Sequence, residues 1–290
     1  MSAEVFSEWL KLQGHTIIKT HSSFWFNQGP RVYQAFPYHW LIYPDEEELN
    51  ELFFSKRAIA LRYTTLPHDC SCFHSYHVVY DKTEYHLANL KKAARSAVRQ
   101  GLKLSSVSQI SFDLLSEDGW DVYVDTLLRQ NRDLYFSHSE WRKRCLYASN
   151  LPGFEVWGSF VDGELAATML TFQIEDWCYI LEQYSRQQHL KSRVNNVLTY
   201  VVTDLMISRP DIHSVFYGLQ SLDASSSVDK FKFGMGYDAK PVRQCVRFHP
   251  GVRPLVNKAS LVLVKAALRL LPKNRFLRKA EGMFRFYLLN

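Results

Sequence analysis

The sequence has no apolar run reaching the roughly 18 residues that a membrane-crossing helix needs. Its first residues, MSAEVFSEWLKLQG, are acidic and mixed rather than basic and then apolar. Neither a secretory leader nor a membrane span is expected. Cysteine is scarce: Cys70, Cys72, Cys145, Cys178 and Cys245 are odd in number and scattered. That pattern predicts reduced thiols and a cytoplasmic setting. Soft and imidazole ligands crowd PHDCSCFHSYH, with His68, Asp69, Cys70, Cys72, His74 and His77. The spacing is Cys-x-Cys rather than the C-x2-C knuckle of zinc sites, and no second ligand pair follows, so no metal is expected. A Walker loop, a nucleophile elbow and a Rossmann glycine fingerprint are all missing. So are repeats of solenoid period and low-complexity linkers.

What is present suits a packed globular protein. The chain has 290 residues, 47% of them apolar and 14% aromatic, enough for two modest domains or one large one. A net charge of +6 permits an anionic partner, whether a phosphorylated cofactor, RNA or a lipid surface, without choosing among them.

The most informative stretch runs from Phe154 to Tyr237. FEVWGSFV, LAATMLTFQI and WCYILEQYS have strand length and composition and are separated by the turns DGE and ED. Asp162-Gly163 is the dipeptide that tight hairpins favour. An antiparallel meander is predicted. The basic loop RQQHLKSR follows, then NNVLTYVVTDLMIS as a helix with Pro210 beyond it, HSVFYGLQ as a strand, and SSVDKFKFGMGY as a short helix closing on two glycines. Strand alternation puts Cys178, Ile180, Glu182 and Tyr184 on one face. A carboxylate in an otherwise apolar strand is costly to bury unless paired or functional.

The first half reads as a short helix over residues 1–13, strands in GHTIIKT, SSFWFNQG, RVYQAFP, RAIALRY and SYHVVYD, and a helix over residues 83–101 ending at Gly101 as a C-cap. Lys91, Lys92, Arg95 and Arg99 crowd that helix. Helices at 116–131, capped by Ser116, and 137–150, capped by Ser137 or Ser139, lead into the meander. At the other end, Ala259, Val262, Leu263, Ala266 and Leu270 form an apolar helix whose only charges are Lys258, Lys265 and Arg269. From Arg253 to Arg285 there are nine Lys or Arg residues against one acid, Glu281. Two outcomes follow. The tail lies on an anionic membrane as an interfacial element, or it packs on the N-terminal half with its basic heads in water. The helix lengths favour the second.

The order strand, strand, strand, loop, helix, strand, helix, closing on Phe231-Lys232-Phe233-Gly234-Met235-Gly236, resembles the GNAT acyltransferase fold. It is most similar to the Fem-type and BioF2-like branch, in which two such units are fused and the last helix ends in Phe-Lys-x-x-aromatic-Gly. Met235 stands in the aromatic position. The resemblance covers roughly residues 80 to 240.

It implies an α/β chain with a mixed, mainly antiparallel sheet and flanking helices, in two GNAT-like units: a degenerate one over 1–115, and one over 116–290 with a basic helical tail. It implies acyl transfer from a thioester donor, acyl-CoA as co-substrate or an acyl-carrier protein, to a small-molecule or lipid-linked amine. Pantetheine would lie beside Leu181, Gln183 and Ser185. The pyrophosphate would meet Arg186, Lys191, Arg193 and the backbone of Asn195 and Asn196, where a helix N-terminus favours anions. The usual Gly-rich loop is absent, since RQQHLKSRVNN contains no glycine. Glu182, with Tyr184, is the candidate base for the incoming amine. Lys232 is the candidate stabiliser of the leaving thiolate or alkoxide. Two alternatives stand beside this: Fem-type aminoacyl transfer from charged tRNA, which the basic 91–99 helix permits, and a non-catalytic binding protein that keeps the fold.

Overall fold

The computed structural model describes residues 1–69, 72–220 and 226–289. In chain order the elements are α1 (Ala3–Leu12), β1 (Ile17–Lys19), β2 (Phe24–Gly29), β3 (Val32–Phe36), α2 (Glu46–Asn50), β4 (Ala60–Thr65), β5 (Phe73–Tyr80), α3 (Lys92–Gly101), β6 (Ser106–Gln109), α4 (Phe112–Arg129) and α5 (His138–Ser149). They continue as β7 (Phe154–Val161), β8 (Glu164–Ile174), β9 (Trp177–Ser185), α6 (Val194–Ile207), β10 (Ser214–Leu219), α7 (Ser226–Gly234), β11 (Asp238–Phe248), α8 (Lys258–Leu270) and α9 (Arg275–Leu289).

The chain forms two compact units, and they do not divide at residue 115. Unit 1 comprises Met1–Val5, Val78–Gly218 and Ser225–Ala239; unit 2 comprises Phe6–His77, Leu219–Ala224 and Lys240–Asn290. The C-terminal helices, expected with the second half of the chain, belong to unit 2. The reason is that β11 returns to pair antiparallel with β4, from Arg243↔Thr65 to Phe248↔Ala60, and carries the tail with it.

Unit 1 holds strands in the order β10-β9-β8-β7-β6. The meander β7, β8, β9 is antiparallel as expected. Asp162 and Gly163 turn it with φ of 50° and 82°, the two positive values of a type I′ hairpin. Strand β10 joins β9 in parallel after α6.

Several local readings shift. Helix α4 starts a turn before Ser116, because Ser111 accepts from Leu114 N–H at 3.1 Å and takes the cap. Ser137 caps α5 in a reciprocal box with Glu140. The helix expected over 83–101 is helical only from Lys92, after a short 3-10 turn at Leu87–Asn89. Gly101 is not a left-handed cap. A Cβ there would come within 2.3 Å of Val197, so this glycine lets α3 approach α6.

Unit 2 repeats the same order in shorter form. Strands β1, β2 and β3 make an antiparallel meander, α2 follows, and β4 pairs with β3 in parallel. Its strand order is β1-β2-β3-β4-β11. One core packs around Trp25, Leu52, Leu61 and Tyr63. In a second, Met283 and Phe286 of α9 meet Ala60, Val246 and Phe248.

Cys72 and Cys245 are joined in a disulfide within this unit. The expectation of reduced cysteines throughout does not hold for this pair, whose partners lie too far apart in sequence, by 173 residues, for spacing to suggest them. Cys145 and Cys178 are free and buried. Cys72 is therefore not available as a thiolate ligand beside His68 and Asp69, while Cys70 lies outside the described residues.

Of the two expected outcomes, inward packing holds for one helix of the tail. Helix α9 packs inward, Phe286 on Phe73 at 5.4 Å and Tyr287 on Phe248 at 5.1 Å between ring centroids. Helix α8 buries only Leu261. Val262, Leu263 and Leu270 remain 64%, 70% and 83% exposed, which leaves an apolar stripe at helical spacing with Lys258, Lys265 and Arg269 around it. Among the described residues no helix is long and apolar enough to cross a membrane.

Candidate functional site in unit 1

The site is built where β9 and β10 part. Their parallel ladder has three rungs, Trp177↔Ser214, Cys178↔Val215 and Tyr179↔Phe216. Two residues further along β9, Leu181 is skipped in the pairing with β8: Thr171 faces Ile180, and Leu170 faces Glu182. A bulge of this kind bends the strand and locally disrupts pairing. It also resets the alternation. Adjacent β8 residues point to opposite faces, so Ile180 and Glu182 do as well. Cys178 and Ile180 therefore do not share a face with Glu182 and Tyr184, as unbroken alternation would have it.

On one face, Glu182 meets Arg144 of α5 at 2.8 Å. The arginine side chain is 4% exposed and the glutamate 21%. Tyr184 donates its hydroxyl to the same carboxylate, and its acidity is strongly suppressed by burial, with the Glu182 charge adding to the effect. Aromatic rings wall the pair: Tyr184 stands edge-on to Tyr123 at 5.2 Å, and Tyr123 stacks on Trp141 at 4.8 Å. The Arg144 guanidinium lies 5.3 Å from the Phe136 ring. Glu182 and Tyr184 are brought together, but with a buried cation that the sequence reading missed. Only its place on α5, in the cluster Arg142-Lys143-Arg144, hinted at it. Removing one partner of such a pair leaves a charge unsatisfied. Arg144→Met is expected to cost about 3–5 kcal/mol of stability, read by urea unfolding. Glu182→Gln should cost less, because water reaches that end. Unchanged stability in Arg144→Met would show that the pair holds nothing in place.

On the other face a polar chain crosses the gap between the strands. The Tyr217 hydroxyl donates to Gln183 Oε1, which Thr199 of α6 also reaches at 3.2 Å. Burial pushes the Tyr217 phenol up to about 12, so it stays a donor. Gln183 Nε2 donates to the carbonyl of Asn195 at 3.2 Å, and Asn195 Nδ2 to Ser185 Oγ at 3.0 Å. The end of β9 is closed off. Ser185 N–H donates to Thr126 Oγ1 at 2.8 Å, and that hydroxyl lies 2.9 Å from the Ser185 carbonyl.

Lys232 of α7 stands at the mouth of this gap. Its Nζ donates to the carbonyl of Tyr217 at 2.9 Å, lies 3.6 Å from Asp229, and sits 5.0 Å from the centre of the Tyr217 ring. Gly218, at φ 120°, leaves room beside it: a Cβ there would lie 3.6 Å from the ammonium. Burial pulls the Lys232 pKa below the ordinary lysine value, and Asp229 opposes that shift. The helix ends with Met235 fully buried, its carbonyl taken by Tyr85 Oη at 2.5 Å.

The expected phosphate ligands have other engagements. Arg186 pairs with Glu164 at 3.3 Å and Asp121 at 3.7 Å and donates to the Leu165 carbonyl. Gln188 and His189 also hold Glu164, at 3.0 and 2.8 Å. The loop is wound into a 3-10 turn, Gln187–Ser192, and Arg193 then adopts φ 61° to start α6. Gly101 packs α3 against that first turn, and Arg193 Nε donates to Gln100. Asn196 turns its side chain to Met235. Of the expected phosphate ligands, Arg186 is thus held by carboxylates. Lys191 and Arg193 are exposed, and Arg193 reaches the C-terminal end of α3, a helix region in which Lys91, Lys92, Arg99 and Lys103 are exposed too.

The overall fold is matched in solved structures. The chain is similar to the C-terminal domain of a protein from Agrobacterium fabrum assigned as a lysylphosphatidylglycerol synthetase, at 13% identity and a TM-score of 0.59 over 91% of this chain and 92% of that one. FemX matches at 10% identity and a TM-score of 0.57, over 86% and 92%. L-PGS from Bacillus licheniformis matches at 10% identity and 0.55, over 86% and 92%. The fold is GNAT-like. It is the mixed, mainly antiparallel α/β arrangement that the resemblance implied, with neighbours of the Fem kind. No protein-family model matches the chain, and no curated protein sequence does.

Proposed function

We propose that this chain is an aminoacyltransferase that moves an aminoacyl group from charged tRNA to a lipid-linked nucleophile at an anionic membrane surface. The observation that carries the reading is the state of the loop before α6. Its cations are spent on Glu164 and Asp121 or turned outward to join the α3 lysines. A polyanion that spreads its phosphates suits that surface better than the single diphosphate of CoA. The neighbours' names support it to the extent that a lysylphosphatidylglycerol synthetase places a lysyl group on a lipid. The exposed stripe of α8 supports the membrane part, since apolar side chains rimmed by Lys and Arg are what an interfacial helix uses.

In this reading the acceptor attacks the ester carbonyl in the gap between β9 and β10. The acceptor's oxygen or nitrogen bonds to the carbonyl carbon as the bond from that carbon to the ribose oxygen breaks; the acceptor's proton ends on the ribose oxygen, and Lys232 gives that oxygen a hydrogen bond as its charge develops. An ammonium has three donors, and the Tyr217 carbonyl takes one of them. Glu182, held by Arg144 and Tyr184, positions the end of β9 beyond the bulge. Gln183 and Tyr217 keep the two strands at a set separation.

The second reading is acyl-CoA transfer, favoured by the free stretch of β9 past Tyr179, along which a pantetheine arm would lie. A thermal-shift panel separates the two. Free CoA and acetyl-CoA at millimolar levels should leave the melting temperature unchanged, because a ligand without affinity adds no stability. Charged tRNA should bind with strong salt dependence and lose at least tenfold in affinity when Lys92, Arg99 and Arg193 are all changed to Glu. Stabilisation by CoA together with indifference to those three changes would return the function to CoA chemistry. Binding without transfer would favour a protein that keeps the fold and has lost the reaction.

A further inference from the structure

Unit 2 carries a cavity of about 340 Å³, open to solvent on one side, between β3, β4 and α9. That volume is in the range of small-molecule pockets. Its position follows from the repeated topology. In unit 1 the parallel pair runs three rungs and then parts at the transfer site. In unit 2 the pair β3–β4 also runs three rungs, Val32↔Ala60, Tyr33↔Leu61 and Gln34↔Arg62. Gln34 and Arg62 of the last rung both line the cavity. Unit 2 thus carries a hollow at the counterpart of the unit 1 gap, with its own chemistry.

The lining is mostly apolar, with Val32, Ile59, Phe276 and Met283 among its residues. Two cations belong to it. Arg62 comes from the sheet, and Lys279 from α9 holds Gln28 through its carbonyl and Oε1 at 3.1 and 3.0 Å. The third feature is Gln34. It is 2% exposed, its Nε2 donates to the Ala35 carbonyl at 3.2 Å, and its Oε1 has no hydrogen-bond partner among the described residues. Buried side-chain acceptors are normally satisfied, and an orphan costs about 1–3 kcal/mol. An apolar chamber with two cations and an unmet acceptor is complementary to one kind of molecule: an aliphatic chain whose head carries both an anion and a hydroxyl.

We propose that this cavity binds a single-chain anionic amphiphile, with the chain among the apolar side chains, the anion at Arg62 and Lys279, and a head-group hydroxyl donating to Gln34. The site is separate from the transfer site in unit 1 and does not rest on the transferase reading. Its test measures binding, not turnover.

Native mass spectrometry and titration calorimetry of the full chain with lauroyl-lysophosphatidylglycerol, below its micelle concentration, should give one molecule per chain. Dodecyl maltoside, with the same chain length and no charge, should bind at least tenfold more weakly. Ala280→Trp, which puts an indole into the cavity wall, should abolish binding without changing the circular dichroism. Should that variant fail to fold, Arg62→Met decides: the tenfold preference for the anionic amphiphile should vanish while the uncharged one binds as before. Equal affinity for the two amphiphiles, undiminished binding in a folded Ala280→Trp, or a preference unchanged by Arg62→Met would each overturn the proposal.

Discussion

Lys232→Ala is expected to lower the turnover number by about 10²–10³-fold, the usual cost of losing one donor aimed at developing negative charge. The Michaelis constant for the donor should change little, because the interaction is made in the transition state rather than the ground state. The position of the ammonium sets this effect. It is held by the Tyr217 carbonyl at the point where β10 leaves β9, and it is buried enough to have its pKa pulled down. A cation in such a place is stabilised only partly by Asp229 and gains from a new negative partner. The pH profile gives an independent check. If the ammonium form is required, activity falls as pH rises through the Lys232 pKa. That alkaline limb should lie below the ordinary lysine value, because burial favours the neutral form. In Lys232→Arg the limb should disappear, since a guanidinium does not titrate in that range. An unchanged turnover number in Lys232→Ala, with fold and melting temperature intact, would remove this lysine from the chemistry.

The second large effect concerns the membrane. The full chain should sediment with liposomes rich in anionic lipid at low salt and be released at high salt. Leu263→Glu combined with Leu270→Glu should abolish sedimentation at both. These two side chains are 70% and 83% exposed, so their replacement removes little from the core and stability should hold. Had α8 served the core, its outer leucines would be covered and the same changes would unfold the unit. Lys258, Lys265 and Arg269 contribute attraction of about 1 kcal/mol each near an anionic surface. That attraction fades within a Debye length, so the salt response reads the electrostatic part and the leucine changes read the apolar part. A chain that stays in the supernatant at low salt would end the peripheral-membrane reading, and one that sediments regardless of the leucines would locate the contact elsewhere.

How far the site could be read in advance depended on the range of the interaction concerned. The meander was legible because Asp162-Gly163 and Glu175-Asp176 are local turn signals between β-rich runs. The place of Lys232 near the end of a short helix was legible through a short motif. The two sides of β9 were not. A one-residue bulge at Leu181 exchanges faces, and nothing in WCYILEQYS marks which residue will be skipped, since bulges are set by pairing with β8. Arg144 was missed for a related reason. An arginine among other cations on a helix reads as solvated until the packing of α5 puts it 2.8 Å from Glu182. Gly101 read as a helix cap because caps are the commonest use of a glycine there; its purpose is contact with Val197, a residue far along the chain.

By itself the chain's order of apolar runs, turns and caps determined the element succession and the closing helix with Lys232; the GNAT-like class of the sheet was what the resemblance of that succession implied. The succession and the closing helix depend on backbone propensity and periodicity, which act over a few residues. Tertiary structure alone decided four things. It decided that the units interleave, because β11 returns to β4. It decided that Cys72 meets Cys245, and that the loop cations are divided between Glu164 and solvent. It also decided that α9 packs into a core through Met283 and Phe286 while α8 buries only Leu261. Each is a pairing between residues distant in sequence, and such pairings are selected by which surfaces the folded chain brings within reach of one another, a quantity no local window contains.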